Sequence, residues 1–192
     1  PGVPTVVAGH SEGAVVGSLL AGEADVDMDG LVSLSGPALR LLDVMRAQTN
    51  AMAGAGADMT AFDEAVACIR NGQPLPAGAK DNPLLAGIVV LPLPALAFIA
   101  QIDAVDPCAA IARVKVRTLL VQGGRDQSVT PEQADQLASA RAGLPTEIAR
   151  FPELQHMYKR APEGLNAMQS FTLNDESDPA VAAAIVEWIG RG

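Results

Sequence analysis

Aromatic side chains are scarce in this 192-residue chain: Phe, Tyr and Trp together make up 3%. A core has to be assembled from Ala, Val, Leu and Ile instead, and an apolar content of 49% supplies enough of them for one ordinary domain. Positive charge is also short. The net charge is −9, with three Lys, ten Arg and no basic run; such a surface repels phosphate backbones and excludes nucleic acid as a partner. Cysteine and histidine number two each, Cys68, Cys108, His10 and His156. A structural zinc site takes about four such ligands at close spacing, so no metal is expected. The two thiols read as free and buried, with a disulfide as the alternative.

Long apolar runs are missing too. The stretch from Leu84 to Ala100 is interrupted by Gly87, Pro92 and Pro94, and falls short of the ~18 unbroken residues expected of a spanning helix. No transmembrane segment is expected, and a soluble protein is. The first residue is Pro1 and no signal or transit segment is seen, which leaves localisation open.

What is present is a regular alternation. Residues 4–8 are a short β-branched run that reads as a buried strand, residues 14–21 as a helix with a small-residue face, and residues 31–35 as a second strand. Strand, helix, strand at this spacing implies a parallel crossover. Gly36-Pro37 ends the pattern. Helix-like segments then fill 38–112, with apolar stripes at Leu39, Leu42 and Met45 and at Phe62, Val66 and Ile69. Strand signals return over Val114–Gln122 and Thr146–Phe151. Between them Thr130, Pro131 and Gln133 predict a capped helix start. Asp178-Pro179 opens a last helix with Val181, Ile185, Trp188 and Ile189 on one face. Three regions follow: 1–37 and 113–192 as sheet and helix core, 38–112 as a helical insertion.

The chemistry concentrates in Gly9-His10-Ser11-Glu12-Gly13, a G-x-S-x-G pattern between strand and helix. Ser11 is expected in a strained turn with its hydroxyl raised above the sheet, and Gly9 and Gly13 to be glycine because a Cβ at either would collide. The Glu12 N–H, at a helix start, is placed to hold a developing oxyanion. A serine hydroxyl needs a base. His10 lies inside the turn and is expected to point away from the site, so His156, on the loop after the 146–151 strand, is the base. Asp126, after the Gly123-Gly124 turn, is the favoured carboxylate to orient it, with Asp103, Asp106 and Glu153 as rivals.

These residues resemble the α/β-hydrolase family, nearest its esterase, lysophospholipase and serine-aminopeptidase members. The resemblance rests on the Gly9–Gly13 turn, on Gly123-Gly124-Arg125-Asp126 with Val129, on Leu154-Gln155-His156 and on the Asp178-Pro179 helix. It implies an α/β fold, a partial α/β-hydrolase with a parallel sheet, flanking helices and a helical lid over 38–112. It further implies Ser11, Asp126 and His156 as nucleophile, acid and base. The expected activity is hydrolysis of a small carboxylic ester or acyl substrate without any cofactor, with a peptidase or a non-catalytic binding module as alternatives. The family carries further strands ahead of the nucleophile, on the order of a hundred residues at ~30 per strand–helix–strand unit, and one of those loops supplies a second oxyanion donor. The chain is therefore expected to be partial, with its first strand an open edge. No substrate-binding residue is assigned, although the apolar run Ile88–Phe98 and the regularly spaced Met45, Met52 and Met59 are weighed as an acyl pocket against plain helix packing.

Overall fold

The computed structural model describes residues 2–23, 25–54, 56–165 and 167–191. In chain order the elements are β1 (Val6–His10), α1 (Glu12–Ala21) and β2 (Gly30–Leu34), followed by α2 (Leu41–Ala53), α3 (Thr60–Arg70), α4 (Ala86–Val89) and α5 (Leu93–Asp103). Then come α6 (Pro107–Ala112), β3 (Arg117–Gly123), α7 (Glu132–Ala140), β4 (Thr146–Phe151), α8 (Ala167–Phe171) and α9 (Pro179–Gly190). Two compact units result, Pro1–Leu39 with Pro107–Gly192, and Arg40–Asp106.

The first unit is built on four strands in the order β1-β2-β3-β4, all parallel. Period-two alternation sorts their side chains onto two faces. Leu31 and Leu120 join Ile111, Val114 and Leu137 under α6 and α7. Val32, Leu119 and Val121 join Val181 and Trp188 of α9 on the other face. Trp188 is held in place by Arg117, whose guanidinium lies 4.2 Å from the ring centroid and donates to the Trp188 and Ile189 carbonyls at the helix end. At the other end of α9, Asp178 caps as expected, accepting the Ala180 N–H at 2.9 Å. β1, an outer strand, is only partly covered: its valines are half-buried, whereas Leu31 and Val32 of β2 are fully buried.

Two local expectations are corrected. The Thr130 cap does not form: Pro131 stands at the N-cap of α7 with no side-chain cap, and Gln133 instead accepts the Ala38 N–H at 3.0 Å. The helical unit is Arg40–Asp106, shorter than 38–112, because Ala110 and Ile111 of α6 are buried with the sheet's helices. Arg141 is buried, and among the described residues no carboxylate pairs with it. Its guanidinium donates to the carbonyls of Ile111, Val114, Val116 and Pro145 and to the Thr146 hydroxyl, which ties the starts of β3 and β4 together.

The second unit packs its helices around Leu42, Phe62, Val66, Ile69, Leu85 and Ile88. Its polar anchor is Asp103, fully buried, which accepts the Leu42 N–H at 2.8 Å and pairs with Arg70 at 2.8 Å and Arg40 at 3.1 Å. An apolar cavity of about 330 Å³ opens in this unit beside Met45, Met52, Phe62, Leu84 and Ile88. Of the run weighed as an acyl pocket, Ile88 alone lines it; Val90, Leu93 and Phe98 are exposed. Met59 is buried in the core instead. Among the described residues no single helix is long and apolar enough to cross a membrane; both cysteines are half-buried, and Cys108 Sγ donates to the Ala38 carbonyl at 3.5 Å.

Candidate active site

The turn between β1 and α1 is as tight as its sequence predicts. Ser11 has φ 55° and ψ −121°, a backbone region that L-residues rarely occupy and that costs on the order of 1–3 kcal/mol. Its N–H is tied to the Leu34 carbonyl at 2.8 Å, at the end of β2. The hydroxyl occupies the N-cap position of α1 yet makes no capping bond, and the Glu12 N–H lies in the first turn, where the helix dipole is positive. The two glycines divide. A Cβ on Gly9 would lie 2.1 Å from the Gly13 carbonyl oxygen, an impossible contact, whereas a Cβ on Gly13 would meet nothing. Gly9 alone is sterically required, because it is the Gly13 backbone that crosses it.

Asp126 follows β3 on a turn that needs its glycines. A Cβ on Gly123 would come within 2.5 Å of the Leu154 carbonyl oxygen and one on Gly124 within 2.6 Å of the Pro152 oxygen. Their absence lets the loop carrying His156 lie directly on this turn, where the Arg125 N–H bonds the Leu154 carbonyl at 2.9 Å. The Asp126 carboxylate is fully buried and fully bonded. Oδ1 accepts the Ser128 and Val129 N–H groups, both at 2.9 Å. Oδ2 accepts His156 Nδ1–H at 2.8 Å and the Gln122 amide at 3.4 Å. With the proton on Nδ1, His156 Nε2 is the basic nitrogen.

His10 corrects an expectation. It does not point away: its ring lies across that of His156, centroids 4.7 Å apart, and Nε2–H donates to the His156 carbonyl at 2.9 Å. A carbonyl only accepts, so this nitrogen carries the proton. Burial pushes the proton affinity of His10 below the ordinary imidazole range, by more than the carbonyl bond raises it. Phe171 meets His156 edge-on at 6.0 Å. Among the described residues the Ser11 hydroxyl makes no hydrogen bond, to His156 or to anything else, so the structure joins Asp126 to His156 directly and brings Ser11 to them through its neighbour His10.

Tyr158, two residues after His156, was not singled out by the sequence. Its hydroxyl donates to the Val121 carbonyl and accepts from Ser35, both at 3.0 Å, stapling the histidine loop to the ends of β3 and β2. Its φ is 56°. Burial raises its pKa well above the usual phenol range, so the neutral phenol is favoured. Gln122 braces Asp126 and the Val129 carbonyl from inside β3. A glutamine amid the apolar run of β3 is the one cue that could have found it. As for the rival carboxylates, Asp103 is taken up by Arg40 and Arg70, and Glu153 by Arg160.

This arrangement of sheet, turn and loops matches many solved structures. The chain superimposes on a lipase in its open form with a TM-score of 0.58 at 18% identity, over 98% of its own length and 65% of the other chain. It matches the Paleococcus ferrophilus monoacylglycerol lipase at TM-score 0.53 and 17% identity, over 96% and 67%. The chain has the α/β-hydrolase fold. A third α/β-hydrolase, a Pyrococcus furiosus esterase, matches at TM-score 0.53 and 17% identity, over 96% of this chain and 52% of its own. The chain thus spans between about half and two thirds of the length of these three α/β-hydrolases. No family model and no curated protein matches the sequence.

Proposed function

We propose that the chain carries the catalytic centre of a serine hydrolase that cleaves carboxylic esters, with Ser11 as nucleophile, His156 as base and Asp126 as its orienting acid. The observation that carries this reading is the buried Asp126–His156 pair at 2.8 Å, with the strained Ser11 turn held against the same histidine by His10. Ser11 Oγ attacks the ester carbonyl carbon while its proton passes to His156 Nε2. The imidazolium formed is stabilised by Asp126, and the tetrahedral oxyanion is held by the Glu12 N–H at the start of α1. Collapse expels the alkoxide, which takes the proton from His156. Water, deprotonated by the same nitrogen, then releases the acid and restores Ser11. Hydrogen bonds between nucleophile and base are often long before substrate binds, in keeping with the unbonded Ser11 hydroxyl. Lipases and an esterase among the similar folds favour an ester over a peptide.

A fluorophosphonate probe tests the proposal. Stoichiometric labelling that is abolished in Ser11→Ala and strongly slowed in His156→Ala is expected. A folded chain that leaves the probe untouched points instead to a binding module. Parallel turnover of a p-nitrophenyl ester and an aminoacyl anilide separates esterase from peptidase.

A further inference from the structure

We propose that His10 is a positioning residue that sets the place of the His156 imidazole relative to Ser11, acting through the His156 main-chain carbonyl. The proposal rests on the hydrolase reading of this site. Asp126 holds the imidazole by Nδ1, but a single bond to a ring nitrogen leaves the ring free to pivot with the loop behind it. What restrains that loop beside the nucleophile is the 2.9 Å bond from His10 Nε2–H to the His156 carbonyl. The backbone behind the donor is anchored, because His10 is the last residue of β1 and is paired in register with Leu34 of β2. The next N–H along, that of Ser11, is bonded to the same Leu34 through its carbonyl.

Nucleophile and base thereby share one frame. Ser11 is joined to His10 by a peptide bond, and His156 is joined to His10 by a hydrogen bond across 146 positions of sequence. The ring of His10 adds contact with both neighbours, lying 4.7 Å from the His156 ring and 6.0 Å from that of Tyr158. Half-burial keeps His10 uncharged beside the base, so no second cation opposes the imidazolium that forms on His156.

Two substitutions separate this role from space filling. His10→Phe keeps a ring against His156 and Tyr158 and removes the donor. His10→Gln keeps an N–H donor at the reach of Nε2 and removes the ring. Two readouts are taken on the folded chain: the rate of fluorophosphonate acylation of Ser11, and the solvent exchange of the downfield proton shared by His156 Nδ1 and Asp126, followed by NMR. For His10→Phe, acylation about tenfold slower and a faster-exchanging Nδ1 proton are expected, since small displacements of a reacting group are costly. His10→Gln is expected to stay within about threefold of the parent rate. The reverse order, or a His10→Gln variant as impaired as His10→Phe, overturns the proposal in favour of packing. If the parent chain itself fails to react with the probe, the hydrolase reading falls, and the exchange of the Nδ1 proton in the same two variants still decides the positioning role.

Discussion

Asp126 and His156, thirty positions apart in sequence, meet through a 2.8 Å hydrogen bond between two side chains that are almost wholly shielded from solvent. Three further donors saturate the carboxylate, so that it can neither rotate nor accept the other imidazole nitrogen. The bond therefore dictates the tautomer of His156.

Asp126→Asn should leave the turn folded, since an amide oxygen can still accept the Ser128 and Val129 N–H groups. It removes the charge and forces the wrong tautomer on His156. Acylation of Ser11 by a fluorophosphonate should fall roughly 10³–10⁴-fold. A variant within tenfold of the parent rate would remove Asp126 from the proposed centre.

Gly9 and Gly13 should respond oppositely to alanine. With a Cβ 2.1 Å from the Gly13 oxygen, Gly9→Ala has to open the Ser11 turn, at about 3 kcal/mol or more. Gly13→Ala meets open space within α1 and should change stability by less than about 1 kcal/mol. Urea unfolding of the two variants checks the contrast.

Tyr158 is the single tyrosine of the chain, so phenolate absorbance near 295 nm reports on it alone. Its neutral form is favoured in the folded state, by burial above all. The sign follows: a folded-state value raised above the unfolded one, about 10, stabilises fully below that pH and is lost as pH climbs beyond it. Melting temperature should fall above about pH 10, with phenolate appearing together with unfolding. Phenolate formation in the intact fold at pH 10 would contradict the buried staple to Ser35 and Val121.

His10 bears on the acid side. Its folded-state value is depressed, chiefly by burial, so its contribution to stability is present above about pH 6.5 and is lost as pH drops toward the folded value. Melting curves between pH 7 and pH 5 should decline more in the parent than in His10→Gln, which has no proton to take up.

Asp103→Asn tests the rival carboxylate. Burial raises the proton affinity of Asp103, but the Arg70 hydrogen bond, the Leu42 N–H and the charges of Arg70 and Arg40 outweigh it and hold the group below the usual carboxylate range. Removing its charge leaves two arginines facing a neutral side chain and should destabilise the helical unit by about 2–3 kcal/mol. The Nδ1 proton shared by His156 and Asp126 should keep its NMR shift in the variant, because Asp103 makes its bonds inside the helical unit. A loss of that signal in the folded protein would count against the assignment.

Local patterns were enough to determine the alternation of strands and helices, the sharp turn at Ser11 and the capped last helix. Each depends on residues within a few positions of one another: β-branched runs, glycine at a crowded crossing, Asp178 ahead of Pro179. Tertiary structure alone decided which groups meet. His10 turns toward His156 because parallel strands and their loops bring positions 146 residues apart to one sheet edge, and no local spacing encodes that distance. For the same reason the supports from Tyr158, Ser35, Gln122 and Arg141 stayed hidden, since a buried polar side chain is defined by the partner that satisfies it. Gly13 and Gln133, read by local rule as obligatory glycine and capping residue, were reassigned by what surrounds them in space.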